Sequence, residues 1–331
     1  MTTSMHAQNL TFLSRRSVLA LMGVSAVAAL VPRVGHAAGS ATLAWTPGAS
    51  TPQIALALQD KLWAAEQLDV KPVSFPTGRE ALEALLGGGA DFASLAEFPV
   101  VTAALRGQKF VVLASLSTFV GNRIIINAAS GVKSIIGLAG RKVGVTLGTN
   151  MQFLAETALK DVNVEYVNVA PGDLVPALSR GDVDAAFVFD SFYPQAKKVL
   201  GANYIEVMTP DYKGQFLIVA SRAFADANPD AIKAFVAGLL KADEKVADQA
   251  PAAAAISAST GGTLAVEAIS AQWPNYRYEV GINKELLPLL MAEGAWINSK
   301  GLVKTPATED LLRTFIASEA LSSLAPSRVA Q

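Results

Sequence analysis

The chain is 331 residues long, 51% hydrophobic and 17% charged, which suits two domains or one large one with a sizeable core and excludes a disordered chain. Its formal net charge is −1 and no Lys/Arg stripe runs along it, so no nucleic-acid partner is expected. It holds no cysteine, which removes disulfides, thiol nucleophiles and a lipid-modified cysteine anchor.

The first element reads as an export signal. Ser14-Arg15-Arg16-Ser17-Val18-Leu19 sets paired arginines before an apolar run from Val18 to Val31. That run is shorter than the about 20 residues a membrane-spanning helix needs. Gly35 and Ala37 fit a signal-peptidase site, so residues 1–37 form the signal and the mature chain starts near Ala38. The arginine pair in this setting resembles the twin-arginine signal, with the general secretory route left open. Both histidines, His6 and His36, leave with the signal. The mature chain then has no imidazole for a Ser-His-Asp triad or a zinc site, no catalytic residue is assigned, and its expected place is the periplasm.

Strands and helices alternate from there. Ala41 to Trp45 predicts a strand, and Thr51-Pro52 opens a helix reaching Gln67. Strand Val70 to Phe75, helix Gly78 to Leu86, strand Ala90 to Leu95, helix Pro99 to Leu105 and strand Phe110 to Ser115 follow. That alternation implies a mainly parallel sheet covered by helices. A second round has strands at Ile124 to Asn127, Lys142 to Leu147, Val164 to Val169 and Ala185 to Phe189. Its helices run from Asn150 to Lys160, Asp173 to Ser179 and Phe192 to Leu200, before the strand Phe216 to Ala220. The last third predicts helices alone, from Pro229 onward, then Leu264 to Trp273, Lys284 to Ser299 and Glu309 to Ser322.

One phrase occurs twice at a constant offset. Ala84, Leu85, Gly88, Asp91 and Glu97 correspond to Ala177, Leu178, Gly181, Asp184 and Asp190. Each copy occupies the same place: a short helix, a glycine stop, a strand, then an acid where the chain leaves the sheet. Two similar α/β lobes explain it.

Several stretches resemble the nitrate/sulfonate/taurine solute-binding proteins of ABC importers. Leu62-Trp63-Ala64-Ala65-Glu66-Gln67-Leu68-Asp69-Val70 is similar to that family's opening, and Glu80 to Pro99 to its Gly-Asp strand segment. Gly131-Val132-Lys133-Ser134 through Arg141-Lys142-Val143-Gly144-Val145, and Gly181-Asp182-Val183-Asp184 with Phe189-Asp190-Ser191-Phe192, continue the match in order. The chain departs from the pattern at Gly87-Gly88-Gly89, Phe189 and Ser191. The resemblance implies an α/β, two-lobed type II periplasmic-binding-protein fold, with the ligand cleft between lobes and extra C-terminal helices. It implies residues 38–121 as the first part of lobe one, 122–214 as lobe two and 215–331 as the return to lobe one. Crossings are expected near Phe119–Arg123 and Lys213–Phe216. It further implies a monomer that takes a small-molecule ligand and serves a membrane permease, with no cofactor and no metal.

In such folds ligands sit beyond the carboxyl ends of strands, near helix N-termini. The candidate ligand contacts are therefore Trp45 and Thr46 after the first strand, Ser94 and Glu97 after the third, Gly148, Thr149 and Asn150 at a helix start, and Asp190 and Tyr193 in the second lobe. The alternative readings are a core aromatic for Trp45, a helix cap for Gly148 to Asn150, and first-turn residues favouring the next helix for the two acids. Arg123 and Arg222 reach the cleft only if the crossings bend inward. A sulfonate or taurine-like solute stands first and a thiamine-pyrimidine-like heterocycle second. An exported sensor using the same cleft stays open. An enzyme resembling the related pyrimidine-precursor synthases would lack the Cys and His they depend on.

Overall fold

In the computed structural model, which describes residues 39–209 and 212–330, the strands form two sheets. The export signal and the start near Ala38 lie outside the described residues. In chain order the strands are β1 (Gly39–Trp45), β2 (Leu68–Ser74), β3 (Phe92–Ala96), β4 (Phe110–Phe119), β5 (Arg123–Asn127), β6 (Lys142–Val145), β7 (Glu165–Asn168), β8 (Ala185–Ala186), β9 (Tyr204–Met208), β10 (Gln215–Ser221) and β11 (Tyr276–Gly281). One sheet runs β11-β4-β10-β3-β1-β2, and the other β7-β6-β8-β5-β9. Helices connect most of the parallel neighbours, as right-handed crossovers require.

Both sheets are mixed, which corrects the expectation of mainly parallel strands. β1 pairs with β2 and β3 in parallel, but β10 runs antiparallel to β3 and β4, and β11 antiparallel to β4. In the second sheet β6 is parallel to β7 and β8, while β5 is antiparallel to β8 and β9. The cause is the route of the chain. It leaves the first sheet at the carboxyl end of β4 and returns through the same edge, so the returning β10 must run against its neighbours.

Other differences have local reasons. The helix expected to reach Gln67 stops at Gln59, because Lys61 takes a left-handed φ of 53° and the chain turns. The helix expected over Glu309–Ser322 breaks into Glu309–Arg313 and Glu319–Leu324. Between them Phe315 and Ala317 bond Val112 of β4, at 2.7 and 2.9 Å, which takes that backbone out of helical pairing. The helices-only reading of the last third missed β11, where Tyr276 and Val280 are buried and Arg277 and Glu279 exposed in a period of two. β9 was missed as well, and the strand expected over Ala185–Phe189 shrinks to Ala185–Ala186.

The doubled phrase has a structural meaning. Gly88 and Gly181 both adopt φ of 79°, a left-handed stop that a side chain resists. Three residues on, Asp91 Oδ2 accepts the N–H of Thr42 at 2.8 Å, and Asp184 Oδ2 accepts the N–H of Lys142 at 3.0 Å. Each aspartate N–H returns a bond to the carbonyl of that same residue, at 2.9 and 2.8 Å. So in both copies the acid fastens the entering strand, β3 or β8, to its parallel neighbour, β1 or β6.

The first sheet's core centres on a ring column. Phe235, on the helix Pro229–Asp243, stacks on Phe92 of β3 at 3.8 Å and on Trp63 at 4.9 Å. Trp63 Nε1 donates to the Phe235 carbonyl at 2.9 Å. That approach demands Gly238, since a Cβ there would sit 2.3 Å from the indole.

The two sheets are joined by Val120–Asn122 on the way out and by the stretch between β9 and β10 on the way back. Gln215 and Phe216 already belong to β10, so the return lies earlier than the expected Lys213–Phe216. Asn122 ties the crossings together. Its Nδ2 donates to the Tyr212 carbonyl at 3.0 Å, and its own carbonyl accepts from Thr209 N at 2.9 Å. Phe153 of the second half packs against Phe98, Trp296 and Tyr212, with ring centroids 5.6 to 6.2 Å apart. Glu156 pairs with Lys300 beside them.

Candidate ligand site

Register brings two of the expected residues side by side. Leu43 pairs with Phe92 and Ala44 with Ala93 in parallel, so Trp45, the last residue of β1, comes next beside Ser94, the middle residue of β3. Trp45 and Ser94 are each 1% exposed, and Thr46 is half-buried. Trp45 Nε1, Thr46 Oγ1 and Ser94 Oγ are all buried without a hydrogen-bond partner in the protein. Buried polar atoms are paired in about nine cases of ten, so these three orphans leave bonding capacity for a partner from outside the chain, water or solute.

Helix starts surround them. The helix Pro52–Gln59 begins after β1 with no side-chain cap, because the Thr51 hydroxyl donates to Thr46 O at 3.2 Å instead. The helix Glu97–Leu105 begins directly after β3 behind Ala96, which has no capping group. Both first turns therefore keep N–H groups that no side-chain cap occupies. Their dipole ends are positive.

From the second sheet, the loop after β6 brings Gly148, Thr149 and Asn150. Here the capping alternative accounts for much of the chemistry. Thr149 Oγ1 accepts from Met151 N at 3.2 Å and donates to Thr146 O at 2.7 Å, while Gly148 N donates to Gln152 Oε1 at 2.9 Å. Asn150 is 8% exposed. Arg79 of the first half comes to this loop: its Nη1 lies 3.5 Å from where a Gly148 Cβ would stand.

The two acids of the repeat meet tyrosines. Glu97 is fully buried, with Tyr212 Oη donating to Oε1 and Gln215 N donating to Oε2 at 2.8 Å. It has no oxygen open to a cleft, which corrects the expectation that it faces the ligand. Asp190 is half-buried and accepts from Tyr276 Oη of β11, a bond between the two sheets. Burial pushes the Asp190 pKa up, against the Tyr276 bond that lowers it. Tyr193 is 7% exposed, its ring 4.5 Å beneath the Arg123 guanidinium. Arg123 is held by Gly121 O, Glu206 and Asn275 at 2.8 to 3.1 Å. Arg222 pairs with Asp226 and Thr314 O, away from these strand ends.

Residues that the strand-end rule passed over also carry orphaned buried atoms: Gln53 Oε1, Asn122 Oδ1 and Thr209 Oγ1. Asn122 and Thr209 sit on the crossings, where no periodicity marks them. Gln53, next to Pro52 in a helix's first turn, carried the one readable signal. Among the described residues no group of three or more His, Cys, Asp or Glu could hold a metal ion.

The chain matches the family model described as "NMT1/THI5 like" over residues 53–254. A "Putative aliphatic sulfonates-binding protein" of Escherichia coli (strain K12) is 28% identical over 57% of this chain, which spans 61% of that relative's length. The "Taurine-binding periplasmic protein" of the same strain is 24% identical over 70% of this chain and 72% of its own. The alkanesulfonate-binding protein of Xanthomonas axonopodis pv. citri, solved bound to MOPS, superposes with a TM-score of 0.69 at 17% identity, covering 84% of this chain and 98% of its own. At that identity the likeness shows the fold, a two-sheet periplasmic-binding-protein α/β fold.

Proposed function

The chain belongs to the NMT1/THI5-like family, and from that premise we propose that it is the solute-binding component of an ABC importer, handing a small sulfonate, taurine or nitrate-class ligand to a membrane permease. The observation that carries this reading is the group of orphaned donors at Trp45, Thr46 and Ser94 beside two uncapped helix starts. An indole N–H, two hydroxyls and helix N-termini suit an oxyanion. The carboxylate of Glu97, which would repel an anion, is taken up by Tyr212 and Gln215. Arg79 of the first half, beside the Gly148 loop, and Asn150 of the second half face the same ligand from across the cleft. Residues 38–121 and 215–331 act as one lobe and 122–214 as the other, closing on the solute as a monomer.

A thermal-shift screen of nitrate, alkanesulfonates, taurine, MOPS and pyrimidines tests the solute class. A ligand at 100 times its dissociation constant stabilises by about 2.7 kcal/mol. Stabilisation by a sulfonate, taurine or nitrate supports the reading, whereas a response to pyrimidines alone moves the chain to the heterocycle-binding alternative. No response to any of them removes the proposed class.

The export signal makes the periplasm its place of work. Intact mass of the exported protein should correspond to a start near Ala38, and a product that keeps residues 1–37 would overturn that start.

A further inference from the structure

Solute binding leaves one buried group without a role. Glu293, on the helix Leu286–Ser299, is fully buried, as is Glu97 at the start of its own helix. The Tyr212 hydroxyl, on the returning crossing, lies between them. It donates to Glu97 Oε1 and stands 3.1 Å from Glu293 Oε1. Gln215 N occupies Glu97 Oε2, and Gln215 Nε2 in turn donates to Asn283 at 3.0 Å. Glu293 Oε2 has no partner in the protein.

The surroundings offer no counter-charge. The Phe153 ring packs edge-on against Tyr212, and Phe98 and Trp296 pack against Phe153. The charged groups nearby on the packed elements are Glu156 and Lys300, paired with each other, with Lys300 lying 5.7 Å over the Trp296 ring. Lys213, next to Tyr212, is exposed. No lysine or arginine bonds either acid among the described residues.

Proton counting bears on the state of the group. Tyr212 brings one hydroxyl proton and can give it to one acceptor. Were both acids ionised, two carboxylates would face each other around one hydroxyl in a dry interior, without a cation. A second proton on one of the carboxyls would remove that repulsion.

We propose that Glu97, Glu293 and Tyr212 form a proton-held clasp on the returning crossing, and that losing the shared carboxyl proton releases the crossing and lets the two halves open. The clasp rests on the solute-binding reading only in what opening is for. In acid it favours the closed form that holds a ligand, and in alkali it favours release.

Burial pushes the Glu97 pKa up to about 7. Burial first, and then the Glu97 charge, push Glu293 well above the carboxylate range. Both acids thus hold protons more tightly folded than unfolded. The stability they lend is complete below the ordinary value of 4.5 and is lost as pH rises through about 7 and beyond.

The test uses ligand-free protein, so its result stands apart from the solute screen. The melting temperature of the parent should fall by several degrees between about pH 5 and about pH 9, and Glu293→Gln, a permanently neutral donor of the same shape, should flatten that fall. Small-angle scattering should show the parent's radius growing over the same interval, and the variant's unchanged. Equal pH slopes in parent and variant would overturn the clasp, and a sloping parent with a constant radius would overturn the release of the crossing. Should Glu293→Gln fail to fold, infrared spectroscopy of the parent decides. A protonated-carboxyl band at neutral pH that vanishes in alkali supports the shared proton, and its absence at neutral pH rejects it.

Discussion

Phe235→Ala is expected to destabilise the protein by about 3–5 kcal/mol, the range for removing a large aromatic ring from a packed core. Phe235 is fully buried and stands in the middle of a column, with Phe92 on one face at 3.8 Å and Trp63 on the other at 4.9 Å. Neither neighbour can fill the gap. Phe92 is fixed on a strand paired on both sides, to β1 and to β10. Trp63 is fixed by its own N–H bond to the carbonyl of residue 235, which alanine keeps. The cavity therefore stays open and its cost stays high. Denaturant unfolding measures it. A loss below about 1 kcal/mol would mean that the helix Pro229–Asp243 slides inward and closes the column, contrary to the rigid contacts at Gly238.

What could be read from the chain alone follows the range of the forces involved. Asp91 and Asp184 were legible because their roles are local: each ends a helix–glycine–strand phrase that repeats in sequence, and each fastens its strand to the one next door. The place of Trp45 at the end of β1 was legible for a related reason, whereas Ser94, expected near the end of β3, falls in its middle. A parallel pair joined by a helix has one possible carboxyl edge, and ligand sites gather there. The fates of Glu97 and Asp190 were hidden, although the repeat made them equivalent. Their partners Tyr212 and Tyr276 lie 115 and 86 residues away, on a crossing and on a strand that the helices-only reading had not recognised. Strand direction was hidden too. Periodicity reports which residues are buried, and it is blind to whether β10 re-enters its sheet from the top or the bottom. β11 is a different case, since Tyr276-Arg277-Tyr278-Glu279-Val280 alternates plainly and the signal was available.

Trp45→Phe separates the two readings of the first strand's last residue, because they predict different effects on affinity. If Trp45 is only a core aromatic, phenylalanine leaves a smaller ring in a tight site, the fold loses a little stability and solute binding is untouched. If its indole N–H serves a ligand, the effects divide. In the free protein the substitution deletes a buried donor that has no protein partner, and an unsatisfied group of that kind costs about 1–3 kcal/mol. That relief offsets the lost ring area, so the ligand-free melting temperature should hardly move. In the complex, the same deletion removes a hydrogen bond to a charged oxygen in a dry site. Such bonds are worth about 1.5–3 kcal/mol, or roughly ten- to hundred-fold in affinity. Ser94→Ala, one strand over, should weaken binding in the same direction while leaving Trp45 in place. Calorimetric titration with the solute found in the screen reads both variants. Parent-like affinity in Trp45→Phe together with a lowered melting temperature would return Trp45 to the core. The ligand would then have to be held by the helix starts, by Arg79 of the first half and by Asn150 of the second, and the weight of recognition would shift to those two side chains.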